Sequence, residues 1–300
     1  MAADPGRLGL MKATRRHMLI ALASGIAALP GYGQRTPLEA EFMRLFGARR
    51  IAAGAFDLDI SQVVENGNSV AVRLAADASD PPAAFHLFAP RNPEPFAATF
   101  RFGSTALPEI ATRLRLSMTQ NVTAVAEWPD GRLTQRAVSV LVTLGACIDE
   151  NFERWVRAAP NARAAGTGTT TAQAARVARA DADARQDEPG AGFGTVRLRV
   201  DPTADAGARI DVRTLVRHPM ETGYRIDTRG ERVARNVVEH FHCALDDEPL
   251  LDADLRPAIA ADPYMAFAFQ PRRGGTLQFT WREDRGAMHR EERPLEVRGT

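Results

Sequence analysis

The side chains equipped for chemistry are few. Two cysteines, a pair of histidines two residues apart and one further histidine stand out. Cys147 lies in Val142-Thr143-Leu144-Gly145-Ala146-Cys147-Ile148-Asp149, just past an apolar run and two small residues, where a side chain leaves a strand for solvent. An exposed thiol can carry a covalent cargo, and its thiolate is the reactive form. Asp149 sets a negative charge close by, which disfavours that thiolate. The carboxylates nearby in sequence, Asp149, Glu150 and Glu153, offer no base of the kind a thiol enzyme needs, so catalysis is not expected.

Cys243 differs. In His240-Phe241-His242-Cys243-Ala244-Leu245 it shares a strand face with Phe241 and Leu245, the position of an inert core thiol. A disulfide between the two cysteines would need one sulfur in a core and the other at a domain edge, so none is expected. His240 and His242 point to the opposite face as two metal ligands could, but no third ligand has suitable spacing, so neither metal nor cofactor is expected. His218-Pro219-Met220-Glu221-Thr222-Gly223 is a loop fixed by its Pro and Gly, serving either turn geometry or docking. Arg113 and Arg115 alternate with apolar neighbours, as on the solvent face of a strand. The chain contains no GxGxxG, P-loop, HExxH or GxSxG motif.

These residues sit in a chain of 300, with 45% apolar and 25% charged residues, enough for two ordinary domains. A formal charge of +1 is far short of the basic excess that binding to a phosphate backbone requires, so nucleic acid is not an expected partner. Residues 1–34 read as a targeting segment, with Arg15 and Arg16 ahead of the mostly small, apolar run from Met18 to Leu29, the order of a twin-arginine signal. Export to the periplasm is expected. Cleavage near Gln34 removes four cations and one anion and takes the charge to −2. No later segment is apolar enough to span a membrane.

Thr36-Pro37-Leu38-Glu39 has the order of a capping box with Pro at the first helical position, predicting a short N-terminal helix. Period-two alternation follows at Val70-Val72-Leu74, Leu114-Leu116-Met118, Val122 to Trp128 and Val138-Val140-Val142, with a turn at Pro129-Asp130-Gly131. From Ala164 to Gly192 large apolar residues almost vanish, which predicts a linker. Strands resume at Val196-Leu198-Val200, Ile210-Val212-Leu215 and Leu277-Phe279-Trp281, giving a second β domain with its own core. The class is all-β: two sandwiches, 35–147 and 193–300, joined by a low-complexity linker at 148–192.

Two stretches carry a resemblance to known families. From Glu65-Asn66-Gly67-Asn68 through Phe85-His86-Leu87-Phe88-Ala89-Pro90-Arg91-Asn92-Pro93 to Thr112-Arg113-Leu114-Arg115-Leu116, the first domain resembles SoxY. From Arg213-Thr214-Leu215-Val216-Arg217-His218-Pro219-Met220-Glu221-Thr222-Gly223-Tyr224-Arg225 through Pro257 to Tyr264 and Phe279-Thr280-Trp281, the second resembles SoxZ. The resemblance implies two immunoglobulin-like sandwiches that pair within one chain and act as a non-catalytic carrier of periplasmic thiosulfate oxidation. It puts Cys147 in the carrier position, holding a covalent sulfur intermediate for SoxAX-like, SoxB-like and SoxCD-like enzymes. In the SoxY pattern the cysteine lies within Gly-Gly-Cys-Gly-Gly near the chain's end. Here only Gly145 of the four glycines is present and the chain continues. Fused chains of this kind also resemble carriers associated with quinoprotein dehydrogenases, so a non-covalent accessory module of such a system is the alternative.

Overall fold

A computed structural model describes residues 36–54, 56–144, 192–227 and 229–299. The expected helix is present as α1 (Pro37–Phe46), its cap closed in both directions between Thr36 and Glu39. The first half then forms β1 (Ile51–Ala53), β2 (Asp57–Ile60), β3 (Val63–Asn66), β4 (Val70–Ala75), β5 (Ala84–Phe88), β6 (Phe96–Phe102), β7 (Glu109–Leu114), β8 (Gln120–Glu127) and β9 (Leu133–Leu144). The second half forms β10 (Val196–Arg199), β11 (Thr203–Asp205), β12 (Ile210–Val216), β13 (Val238–Leu245), β14 (Glu248–Leu255), β15 (Tyr264–Phe269), β16 (Gly275–Glu283) and β17 (Met288–Arg298).

These strands make two sheets, and both sheets run through both halves. The larger is ordered β1-β9-β8-β5-β6-β14-β13-β16-β17-β11, with β3 also on β9; the smaller is β10-β12-β15-β7-β4-β2. The seam in the larger sheet is the antiparallel ladder of β6 and β14, from Ala98 opposite Leu255 to Phe102 opposite Leu251. In the smaller sheet β7 meets β15 at Ala111 and Ala266. Around that pair, Leu107 N–H donates to Ala268 O (2.8 Å), Arg115 N–H to Ala258 O (2.7 Å) and Ala260 N–H to Arg113 O (3.0 Å). The all-β expectation therefore holds, and each half contributes strands to both layers as an immunoglobulin-like sandwich does.

The core is continuous where two were expected. One buried cluster includes Phe85, Leu87, Phe100 and Leu114 of the first half with Phe241, Leu251, Phe267 and Trp281 of the second. A second, smaller cluster, Phe46, Phe88, Phe96, Val125 and Leu133, seats α1 on the outside of the larger sheet.

Three local departures have physical causes. Leu116 is buried without belonging to a strand, since β7 ends at Leu114 in the smaller sheet and the chain then passes over to β8 in the larger. β5 is buried at all five positions and β6 at its first five, so neither alternates. β17, Met-His-Arg-Glu-Glu-Arg-Pro-Leu-Glu-Val-Arg, is held by its ladder with β16 despite its charge.

Candidate functional site

The carrier position, Cys147, and the 148–192 segment up to Ala191 lie outside the described residues, as does the targeting segment. What is described is the strand that leads to that cysteine, and the fate of the other thiol.

β9 is held along its whole length. Its first part pairs with β8 from Leu133 to Val140, and its outer edge takes β1 at Leu133–Gln135 and β3 at Leu141–Leu144, both in parallel. Near its end, Val142 N–H donates to Thr119 Oγ1 at 3.0 Å and Leu141 N–H to Gln62 O at 2.7 Å, while Thr143 Oγ1 donates to Glu65 O at 3.1 Å. The backbone is thus fixed to Leu144, three residues before Cys147. Val63 and Leu141, directly paired across β3 and β9, are two of the large apolar residues left exposed.

Cys243 is sealed. It stands on β13 between Leu251 of β14 and Phe279 of β16, with Phe241 and Leu245 on its own face and no accessible surface. Burial alone pushes its thiol far above the ordinary range. The expected inert core thiol is borne out, and it is free.

The two histidines of β13 do share the opposite, solvent face. His240 Nδ1 meets Asp254 at 2.8 Å and His242 Nδ1 meets Asp252 at 3.4 Å, both aspartates on β14. Arg101 of β6 bridges the same two aspartates at 2.8 and 3.1 Å, so the ladder spans the seam. Among the described residues no group of three or more His, Cys, Asp or Glu is arranged to hold a metal.

The His218 loop is a docking element as well as a turn. Met220 takes a left-handed backbone (φ 48°) and is fully buried; its N–H donates to His218 Nδ1 at 3.0 Å. The proton on His218 is therefore on Nε2, which donates to Glu283 Oε1 at 3.1 Å. This turn presents the carbonyls of Pro219 and Met220 to Arg115 of the first half, at 2.8 and 2.6 Å. Tyr224 and Arg235 both reach Glu94 across the same boundary. Burial pulls His218 down to about 4 and pushes Glu283 up.

Arg115 and Arg113 are thus more than solvent-face residues. Arg113 lies over the Tyr264 ring at 4.9 Å, again across the halves. Their alternation with apolar neighbours is equally typical of water-facing strands, so only the partner strand distinguishes the two cases. His86 also escaped the sequence reading: buried, it meets Thr99 at 2.8 Å and Glu127 at 3.2 Å, and Glu127 accepts from Arg49 at 2.7 Å. Burial lowers His86 to about 4. That network anchors α1's exit and includes no exposed reactive group.

Comparison with known families divides the chain in two. Residues 42–147 match SoxY, described as sulfur oxidation protein SoxY, and residues 198–294 match SoxZ, described as sulphur oxidation protein SoxZ. No curated protein matches. Among solved structures, the chain is similar to the sulfur carrier protein SoxY from Chlorobium limicola f thiosulfatophilum, with 26% identity over 36% of this chain and 97% of that one, at a TM-score of 0.32. It is also similar to a superoxide reductase (neelaredoxin) from Ignicoccus hospitalis, with 14% identity over 36% of this chain and 82% of that one, at a TM-score of 0.28.

Proposed function

The chain belongs to the SoxY and SoxZ families, one domain of each in a single polypeptide, and from that premise we propose that it carries a covalent sulfur intermediate on Cys147. At family level it is a sulfur-oxidation carrier. The observation that supports the finer reading is the burial of Cys243. Of the two cysteines in the sequence, that one has no access to solvent and a strongly raised pKa, which leaves Cys147 as the thiol for chemistry.

Joining thiosulfate to a thiol forms a sulfur–sulfur bond, releases the thiol proton and sends two electrons to an oxidising partner enzyme. The chain itself supplies a nucleophile and a handle. Covalent connectivity keeps Cys147 within about 11 Å of Leu144, so β9 sets where partners must come. The partners in this reading are SoxAX-like, SoxB-like and SoxCD-like enzymes of the periplasm, reached through a twin-arginine signal in residues 1–34, with sandwich domains at 35–147 and 193–300. Catalysis by the chain is not part of the proposal.

Intact mass and peptide mapping of protein taken from its native compartment test the reading. Sulfur-containing adducts on Cys147 and none on Cys243 are expected, and brief alkylation of the native, reduced chain should label Cys147 alone. A Cys147 free of adducts during active sulfur oxidation would leave the non-covalent accessory role beside a quinoprotein dehydrogenase as the better account.

A further inference from the structure

The outer face of the six-stranded sheet is covered by no element among the described residues, and its charge is unbalanced. Strand parity and register put its outward side chains in rows across both halves. One row runs Arg199, Arg213, Ala266, Ala111, Arg73, Asp59, and the next includes Arg197, Leu215 and Tyr264, with Arg113 stacked on the tyrosine. Arg199 and Arg213 are directly opposed on β10 and β12, an arrangement that costs stability unless an anion intervenes. Neither they nor Arg197 and Arg113 have a carboxylate partner among the described residues. The acids of the next row are taken: Glu109 by Arg73 and Arg209, and Asp211 by Arg209.

Four arginines therefore face solvent or lie half-buried with no counter-charge, over a floor of alanines that lets a partner approach closely. The face continues into a groove of about 570 Å³, where Arg73, Arg113 and Tyr264 share the lining with Val64, Glu65 and Asn66. Those last residues belong to β3, which fixes the end of β9. None of the large exposed apolar residues, Met43, Val63, Leu141, Tyr224 and Met288, projects from the outward rows, so the face has no side chain suited to enter a lipid layer.

We propose that this arginine face is a docking surface for the carboxylate-rich surface of a partner protein. Its charge selects an acidic partner, and the groove orients that partner toward the end of β9. That the partner is an enzyme acting on Cys147 rests on the carrier reading; the acidic character of the partner does not.

The test uses the full chain and a fluorescein-labelled oligoglutamate peptide, followed by anisotropy at low and at moderate ionic strength. Binding should weaken with salt, and R199A/R213A should weaken it about tenfold. The control R232A/R290A removes two exposed arginines elsewhere and should change it less than about twofold. R213E sets opposite charges across β10 and β12 and should raise Tm by about 1–3 °C while abolishing binding. Equal weakening by the two alanine pairs, or a fall in Tm for R213E, would overturn the proposal. So would equal binding to phosphatidylglycerol vesicles, which points to lipid. Tighter peptide binding by D181N/D183N/D187N/E188Q would also overturn it, because the chain's own acidic segment would then be the occupant. The outcome is independent of adducts on Cys147, so this proposal and the carrier reading fail separately.

Discussion

Gly103 lies where β6 ends and the chain passes β14, and its substitution by alanine tests whether the two halves are one folded unit. Its N–H donates to Leu250 O at 3.0 Å. A methyl group at Gly103 would fall on the carbonyl oxygen of Pro249, 2.7 Å from that carbonyl's carbon and 3.3 Å from Leu250 Cα. These are backbone atoms, so no side chain can swing away. Relief requires β14 to shift from β6, which strains the adjoining ladder and weakens the Gly103–Leu250 hydrogen bond. Overpacking costs roughly 1–3 kcal/mol and one hydrogen bond about 1 kcal/mol, so Gly103→Ala should lose about 2–4 kcal/mol. For a folded unit of this size that is a Tm lowered by roughly 5–15 °C. Urea unfolding followed by tryptophan fluorescence is the assay. Two tryptophans report on the shared core, Trp128 in its first half and Trp281 in its second. The wild type should unfold in one transition, and the variant in one transition at lower urea. An unchanged midpoint, or a midpoint shifted for one half only, would refute the continuous-sheet account and restore two independent domains.

Three further outcomes are expected. His86 and His218 titrate near about 4 in the fold against about 6.5 in the unfolded chain, so unfolded chains bind protons the fold refuses. Stability should be complete above about pH 6.5 and decline by up to about 3 kcal/mol per histidine as pH falls to about 4, partly offset by Glu283, whose raised pKa acts in the opposite sense; a flat urea midpoint across that window contradicts the burial of both rings. Arg115→Ala removes two charge-assisted bonds to Pro219 and Met220 and should cost about 1–3 kcal/mol, whereas a cost near zero means the loop is held without it. Arg15→Lys with Arg16→Lys should retain the precursor in the cytoplasm; undiminished export would assign an ordinary secretory leader instead.

What could be read ahead of the structure was whatever obeys a local rule. The capping box gave the start of α1, and alternation gave β4 and β12, because each buries one face only. Parity on β13 correctly separated Cys243 from His240 and His242. β5 and β6 were illegible for the opposite reason: they lie centrally in a sheet packed on both faces, so period-two contrast is lost. The roles of Arg113 and Arg115 were hidden because their partners are more than a hundred residues away. The candidate thiol was legible from its setting and from the resemblance, while the arginine face emerges only when six strands are put in register.

The seam also has a consequence for how the chain reaches its folded state. β6 and β14 pair residues about 150 positions apart, so their ladder closes a very long loop and belongs to the late, slow part of folding. Until it closes, each half exposes an apolar strand edge: Phe96 to Phe100 on one side, Leu250 to Leu255 on the other. Such edges are templates for pairing with the wrong chain. With separate subunits, the lifetime of those edges would depend on how soon a partner diffuses in, and would lengthen as the protein became dilute. With both edges on one polypeptide, the correct partner is present at an effective concentration of order millimolar whatever the expression level. Fusion thereby turns a concentration-dependent assembly step into a first-order folding step, and makes the yield of native protein a property of the single chain.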